Sequence, residues 1–364
     1  MKQGKQIGVQ CIDYVNGVYY VLTKDGRHLI SYNPEECTNQ YIGEIENKNE
    51  LYISSVHIDD KIFYLPYNPG CICEYDTKRS SITYWPFEFE DGEKAVGCSF
   101  GKAVGHNILI VSAKENMQLM RYDTRIHTLT RLSKWAKDYV DRYGETLMPN
   151  CSSNLCIDDE FVYLPTNKNG LILKQNTIKN EYDFLEIPTD RVIFNTVINH
   201  NNSLWLTGNS VGVFRWDYES NELHEYSQLP NGFRYDEKKT SWPGAFFSGI
   251  VSDGSIIYAP LNSNMYIKVN VDSGELDCFR EIDRKDHCFI FSELTPGIIY
   301  SEESSTSMHN MKDAFLIKGN EQPIEFGIMI YEDILPRNST LNERILVEDT
   351  VLELPQYLNL LKNI

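Results

Sequence analysis

The stretch IFYLPYNPGCICEYDTKRSSITYWPF, residues 62–87, contains three short apolar runs separated by polar turns. Closely similar patterns return as FVYLPTNKNGLILKQNTIKNEYDFLEIP at residues 161–188 and as IIYAPLNSNMYIKVNVDSGELDCF at residues 256–279. The runs are rich in Val, Ile, Tyr and Phe, which favour strands. The turns are rich in Asn, Asp and Gly, which accept hairpin geometry. The stretch is therefore one copy of a repeated strand-and-turn unit.

The unit occurs seven times when each copy is aligned on the residue that closes a short apolar run. The copies are 42 to 53 residues apart, and their anchors are Tyr20, Tyr64, Ile110, Tyr163, Trp205, Tyr258 and Tyr300. A second anchor ends another apolar run and opens a polar turn in the first six copies, at Asn33, Asp76, Asp123, Asn176, Asp217 and Asn270. Four strands in this period are typical of a β-propeller blade, and blades bury their faces by packing round an axis.

The sequence thus predicts an all-β propeller of four-stranded antiparallel blades over residues 1–329. The predicted blades lie near residues 7–46, 52–90, 98–135, 151–188, 194–230, 247–283 and 289–329. The seventh copy lacks the second anchor, so a six-bladed ring with a divergent tail is the alternative. Residues 330–364 are predicted to form a strand and a short helix that pack on the propeller. Residues 134–150 break the strand pattern and are predicted to form a helical excursion between blades three and four.

The motif Tyr-x-Pro-x-Asn begins at Tyr64, Tyr163 and Tyr258, and Trp205 begins a looser copy. This motif resembles the repeats of Kelch-like and galactose-oxidase-like propellers, and the resemblance covers roughly residues 9–328. The double glycine that is usual in Kelch repeats is absent. The resemblance implies a fold and leaves the function open, because propellers of this kind serve as binding platforms, lyases, hydrolases and oxidases.

The composition restricts the partners that we expect. Lys and Arg total 34 and Asp and Glu total 52, which gives a net charge of −18. Such an acidic surface repels phosphate backbones and anionic lipids, so neither nucleic acid nor a membrane is an expected partner. The nine cysteines are scattered among apolar runs, and the first residues contain no apolar run of signal-peptide length. Reduced thiols and a cytoplasmic location are therefore predicted.

Two unusually long connections between blades, at residues 135–154 and 231–249, are candidates for ligand binding. The second contains the charged and aromatic residues Arg234, Tyr235, Asp236 and Trp242, which suit a sugar or a peptide. It could instead cover the edge of a blade.

Four asparagines fall at one equivalent loop position, and they are Asn68, Asn167, Asn209 and Asn262. They could bind a ligand from the channel end. The alternative is that each caps its own loop. This alternative is favoured because a feature that is repeated in most blades usually belongs to the blade itself.

Two ionisable residues on the predicted innermost strands, His57 and Glu293, are the candidates for a catalytic base. They align with each other and with Ala103, Cys156, Ile198 and Val251. Motifs for nucleotide binding, serine hydrolysis and zinc binding do not occur, so no cofactor or metal ligand is predicted, although a divalent metal is compatible with the enzyme hypothesis.

Two hypotheses follow, with a third of lower weight. The first is a cytoplasmic binding platform that recognises a peptide, a protein or a glycan at the channel-end loops. The second is a propeller-type lyase or hydrolase in which His57 or Glu293 acts as a general base. The third is a structural subunit of a larger assembly.

Overall fold

The structure is a computed structural model. It describes the backbone of Val9, and the backbone and side chains over residues 10–23, 25–36, 38–45, 52–112, 118–147, 155–158, 160–236, 244–252, 254–282 and 335. It also describes the backbone of four strands between residues 288 and 325. In this part of the chain the strands form seven four-stranded sheets, each in chain order, in which neighbouring strands are antiparallel. Each sheet is one blade of a propeller.

The strands of the first four blades have the following bounds. The first blade contains β1 (Val9–Val15), β2 (Val18–Thr23), β3 (His28–Asn33) and β4 (Thr38–Glu44). The second contains β5 (Tyr52–Ile58), β6 (Lys61–Pro66), β7 (Cys71–Asp76) and β8 (Ser81–Pro86). The third contains β9 (Phe100–Val104), β10 (Asn107–Ser112), β11 (Gln118–Asp123) and β12 (Thr128–Arg131). The fourth contains β13 (Cys156–Asp158), β14 (Phe161–Pro165), β15 (Leu171–Asn176) and β16 (Tyr182–Glu186).

The last three blades continue the same pattern. The fifth contains β17 (Phe194–His200), β18 (Ser203–Gly208), β19 (Val213–Asp217) and β20 (Leu223–Tyr226). The sixth contains β21 (Phe246–Ser252), β22 (Ser255–Pro260), β23 (Met265–Asn270) and β24 (Leu276–Glu281). The seventh contains β25 (Cys288–Thr295), β26 (Ile298–Ser305), β27 (Met308–Lys318) and β28 (Ile324–Glu325). The prediction of a propeller of four-stranded antiparallel blades is confirmed, and the described strands form seven sheets rather than the alternative six.

The polar turn after the third strand of each of the first six blades has one geometry. The side-chain oxygen of the residue at the second anchor accepts hydrogen bonds from the backbone N–H groups two and three residues later, at 2.8 to 3.4 Å. These residues are Asn33, Asp76, Asp123, Asn176, Asp217 and Asn270. The spacing of the repeat therefore follows from a side chain that forms its own turn.

The first strand of each blade lies innermost. β1 contacts β5, β5 contacts β9, β13 contacts β17, β17 contacts β21 and β21 contacts β25. Lys102 Nζ on β9 donates a hydrogen bond to the carbonyl of Leu155, just before β13. β25 also contacts β1, so the ring closes between the seventh and first blades.

The apolar core lies between successive blades. The cluster at the junction of blades 1 and 2 includes Val15 and Leu22 from one blade and Ile62 and Tyr64 from the other, all of them buried. Equivalent clusters join blades 2 and 3, 3 and 4, 4 and 5, and 5 and 6. Because a single sheet cannot bury both of its faces, this packing holds the ring together.

The excursion after blade 3 contains the helix α1, Trp135–Tyr143. Trp135 and Tyr139 are buried against the leucines of blades 3 and 4. Gly144 ends the helix at φ 74°, and its N–H donates to the carbonyl of Val140. The predicted helical excursion is confirmed.

In the described residues no helix is long and apolar enough to span a bilayer. The predicted strand and helix of residues 330–364 lie outside the described residues, apart from Leu335.

Candidate functional site

The ring has two ends with different connections. The loops between second and third strands, and the connections between blades, lie at one end, which we call the loop end. The hairpins between first and second strands, and the turns between third and fourth strands, lie at the other, which we call the hairpin end. Candidate residues are found at both.

Two of the four repeated asparagines hold a loop to the connection that enters the same blade. Asn209 Oδ1 accepts a hydrogen bond from the N–H of Ile193 at 3.0 Å. Asn262 Nδ2 donates to the carbonyl of Gly244 at 2.9 Å, and Asn262 is only 2% exposed. The structural interpretation is therefore favoured at these two positions, although each amide fastens an incoming connection rather than capping its own loop.

The other two asparagines differ from this pair. Asn68 is exposed, and its role as a ligand contact stays a prediction. Asn167 Oδ1 accepts a hydrogen bond from the hydroxyl of Tyr139 on α1 at 2.8 Å. Asn167 also borders an open cleft of about 550 Å³ at the loop end of blade 4.

This cleft lies between the C-terminal half of α1, the β14–β15 loop and the segment that follows β16, and we call it the α1 cleft. The polar and aromatic residues that line it are Tyr143, Asn167, Lys168, Asn169, Glu186 and Thr189. Lys168 pairs with Glu145, while the ring of Tyr143 stands edge-on to Phe184 at 5.9 Å. Partial burial raises the pKa of Tyr143, and the charge of Glu186 raises it further. The cleft therefore combines an aromatic face, two amides and an exposed carboxylate.

The segment with Arg234, Tyr235 and Asp236 packs against the β22–β23 loop. Tyr235 forms an isolated β-bridge with Ser263, and the N–H of Arg234 donates to Asn264 Oδ1 at 2.7 Å. Arg234 and Asp236 are exposed at the loop end. The segment thus covers a blade edge and still presents two charged residues, whose role in ligand binding stays a prediction. Trp242 lies outside the described residues.

His57 and Glu293 occupy the same strand position, as the sequence predicted. Each is in the second residue pair from its hairpin, where His57 pairs with Ile62 and Glu293 pairs with Ile299. In the seventh blade this equivalence depends on a register shift between Glu293 and Thr295. The equivalent residues in the other blades are Tyr14, Ala103, Ile157, Asn199 and Val251. We call this set the inner ring. The side chain of Glu293 lies outside the described residues.

Two members of the predicted alignment, Cys156 and Ile198, were wrong by one residue. The anchors Tyr163 and Trp205 lie one residue nearer to their hairpins than Tyr64 does, so counting from the anchor shifts the alignment. A shift of one residue moves a side chain to the opposite face of its strand.

The inner ring is accessible at the hairpin end. Each of its described members is partly exposed, and Val251 is 40% exposed although it lies on an innermost strand. The predicted base His57 and the predicted ligand loops are therefore at different ends of the ring.

The structure adds one residue that the sequence analysis missed, Asp13 on β1. His57 Nδ1 lies 3.9 Å from Asp13 Oδ1 across the junction of blades 1 and 2. The side chain of Asp13 is 5% exposed and that of His57 is 27% exposed. The available signal was a single carboxylate within the apolar strand VQCIDYV. We call these two residues the Asp13–His57 pair.

Burial dominates the electrostatics of the pair. It raises the pKa of Asp13 to about 7, although a hydrogen bond with Ser55 opposes the shift. Burial also lowers the pKa of His57. Because both shifts favour neutral side chains, the Asp13–His57 pair is not an ordinary ion pair despite its separation.

A second polar contact near the axis joins blades 4 and 5. Asn199 Nδ2 donates to Asp158 Oδ2 at 2.6 Å, and Tyr218 donates from its hydroxyl to Asn199 Oδ1 at 3.2 Å. The N–H of Asn199 also donates to Cys156 Sγ at 3.1 Å. We call this the Asn199 network. The described side chains include no group of three or more His, Cys, Asp or Glu placed to hold a metal ion.

The sequence matches no protein-family model and no curated protein. Several solved structures are similar in fold. A structure described as YCF48 bound to D1 peptide has a TM-score of 0.56 and 9% identity, and the match covers 88% of this chain and 95% of that chain. The WD40 β-propeller domain of Doa1 has a TM-score of 0.56 and 6% identity, with 87% and 95% covered. The β-propeller domain of Cps50 (Swd1) from Myceliophteria thermophila has a TM-score of 0.54 and 9% identity, with 85% and 97% covered. At such low identity these matches show a β-propeller fold and nothing finer.

Proposed function

We propose that this protein is a binding propeller that recognises a protein or peptide segment in the α1 cleft. The observation that carries the proposal is the open cleft of about 550 Å³ at the loop end, with Asn167 on its border. One of the solved structures with a similar fold is described as bound to a peptide, which supports the same kind of ligand.

The chemistry of the α1 cleft suits an extended peptide. The amides of Asn167 and Asn169 both border the cleft and carry the donor and acceptor types that a peptide backbone requires. One atom of each is already used, since Asn167 Oδ1 accepts from Tyr139 and Asn169 Nδ2 donates to the carbonyl of Asp190. The ring of Tyr143 offers a flat apolar contact, and Glu186 favours a basic side chain in the ligand. A ligand with basic residues also complements the net charge of −18.

The finer sequence-based expectations belong to the same proposal. We retain the Kelch-like class of repeat, the cytoplasmic location and a carbohydrate as the other ligand class. The alternative of a lyase or hydrolase that uses His57 and Glu293 also stays a prediction.

The test begins with a phage-displayed library of random peptides selected against the immobilised full chain. The affinity of an enriched peptide is then measured by fluorescence polarisation for the wild type and for Tyr143→Ala and Glu186→Gln. We expect both substitutions to weaken binding about tenfold, because contacts in the centre of an interface dominate its energy. Glu186 is exposed, so Glu186→Gln is expected to fold normally.

The matched control is Lys137→Ala on the same helix. Lys137 is exposed and pairs with Asp141 rather than lining the cleft. It should leave the affinity unchanged. Failure to enrich any peptide overturns the proposal. A peptide that binds Glu186→Gln and Tyr143→Ala as tightly as the wild type also overturns it, and Arg234→Ala then tests the β22–β23 side of the loop end.

A further inference from the structure

The Asp13–His57 pair lies at the hairpin end, opposite the α1 cleft. Asp13 points from β1 towards blade 2, where Ser55 and His57 lie on the facing side of β5. Asp13 is almost fully buried, whereas His57 keeps about a quarter of its side chain exposed. Since Nδ1 is the nitrogen next to Asp13, the other ring nitrogen, Nε2, is left for a molecule in the mouth of the channel.

The hydrogen bonding of the buried Asp13 carboxyl is incomplete within the described part of the chain. Its Oδ2 atom is buried and has no hydrogen-bond partner among the described residues, and the same holds for the nearby hydroxyl of Tyr64. The groups that act on this junction are Ser55, His57, Tyr64, Cys11, Cys73 and Tyr75. No lysine or arginine of the described chain is among the groups that shift the pKa of Asp13. A buried carboxyl without a cation costs stability, and such costs are concentrated at functional sites.

The protonation states suit proton transfer near neutral pH. Burial raises the pKa of Asp13 to about 7, so its carboxyl can hold a proton close to neutral pH. The lowered pKa of His57 leaves its ring neutral and able to accept a proton. The hydroxyl of Ser55 is hydrogen-bonded to Asp13.

We propose that the Asp13–His57 pair is a second functional site, in which His57 is a general base for hydrolysis of a small ester and Asp13 is its positioning residue. In the first step His57 Nε2 takes a proton from water while the water oxygen bonds to the acyl carbon. The carbon–oxygen bond to the alcohol then breaks. The alcohol leaves with the proton from His57, and the acid is the other product.

The experiment uses p-nitrophenyl acetate as the probe and the full-length chain as the enzyme. Hydrolysis is followed from pH 5 to pH 9 for the wild type and for His57→Gln. We expect His57→Gln to lose about a hundredfold of the protein-catalysed rate, which is the low end for a positioned general base. His57 is partly exposed, so this substitution is expected to leave folding intact. Circular dichroism of each variant checks that point.

The matched control is His106→Gln. His106 also lies beside an aspartate, with 3.5 Å between Nε2 and Asp123 Oδ2, but it is in an exposed hairpin turn of the next blade. It should keep the wild-type rate. Equal loss in the two histidine variants, or no loss in His57→Gln, overturns the proposal because the hydrolysis is then adventitious.

The role of Asp13 is read from the pH profile of Asp13→Asn. With a pKa of about 7, Asp13 becomes charged as the pH rises through neutrality, and its carboxylate then makes the nearby neutral ring of His57 a stronger base, so the wild-type rate should rise through this range. Asp13→Asn should lose that rise, while the acidic limb that His57 sets stays in place. A lower rate that keeps the same rise contradicts the positioning role of Asp13.

Discussion

The junction of blades 1 and 2 and the junction of blades 4 and 5 each place a polar contact beside the axis, but the two contacts differ in their hydrogen bonding. In the Asn199 network the amide donates to Asp158 and accepts from Tyr218. In the Asp13–His57 pair His57 Nδ1 and Asp13 Oδ1 are 3.9 Å apart, and the other carboxylate oxygen has no hydrogen-bond partner among the described residues. The two junctions therefore share a position in the ring and differ in whether their polar groups are satisfied.

This difference in hydrogen bonding distinguishes a contact that stabilises the fold from one that we propose to have a function. A satisfied polar network specifies how two blades pack and contributes modestly to stability. An unsatisfied buried carboxyl lowers stability and shifts its own pKa, so it persists where the shifted group serves a purpose. Comparing variants at the two junctions tests this distinction.

The largest expected effect is that of Asp13→Asn on stability. The pKa of Asp13 is raised from 3.8 to about 7 in the folded state, so the charged form destabilises the fold as the pH rises between these values. At 1.36 kcal/mol per pKa unit, the cost above pH 7 is roughly 4 kcal/mol at most. We expect Asp13→Asn to be more stable than the wild type at pH 8, with a smaller gain at pH 5, as measured by urea unfolding.

The control for this prediction is Asp59→Asn, in the exposed hairpin turn that follows β5. It should give no pH-dependent gain. The same change in unfolding free energy at pH 5 and pH 8 in Asp13→Asn would contradict the raised pKa.

The next largest effect is expected for Asn199→Ala. This substitution leaves Asp158 and Tyr218 without their shared partner, so it should lower the free energy of unfolding by about 2 kcal/mol. Unlike Asp13→Asn, it should act equally at pH 6 and pH 8. The exposed Asn39→Ala on β4 is the control and should be neutral. A gain in stability from Asn199→Ala would remove the distinction between the two junctions.

The smallest effects compare two tyrosine hydroxyls. Tyr218→Phe loses a hydrogen bond to Asn199 and should cost about 1 kcal/mol. Tyr64→Phe removes a buried hydroxyl that has no hydrogen-bond partner in the described part of the chain, so stability should be unchanged or rise by up to about 1 kcal/mol. Thermal unfolding of both variants at one pH measures the contrast, and an equal loss in both would show that Tyr64 is also hydrogen-bonded.

Much of the fold could be predicted from the sequence because its determinants are local. The turn after each third strand is formed by a single side chain, such as Asp76 or Asp217, and its neighbouring amides. The helix α1 could be predicted because residues 134–150 lose the strand pattern. The strand position shared by His57 and Glu293 could also be predicted, since it depends on hairpin register.

The candidate sites were less predictable, because contacts between blades create them. Asp13 and His57 lie on different blades, and their contact depends on which face of each strand meets the junction. Counting from the anchors displaced Cys156 and Ile198 by one residue in the alignment, and such a shift also changes which face of the strand a side chain is on. The α1 cleft likewise needs the helix to fold back on blade 4.

The sequence by itself determined the repeat, the order of strands and the turn chemistry, since these rest on interactions within a few residues of each other. Only the tertiary structure decided which polar side chains are buried together, at which end of the ring they lie and which of them are paired. The physical reason is that burial and hydrogen-bond satisfaction depend on the rotation of one blade against the next, which no single repeat encodes. The role that we propose for Asp13 therefore depends on the contact between blades 1 and 2 and not on a sequence motif.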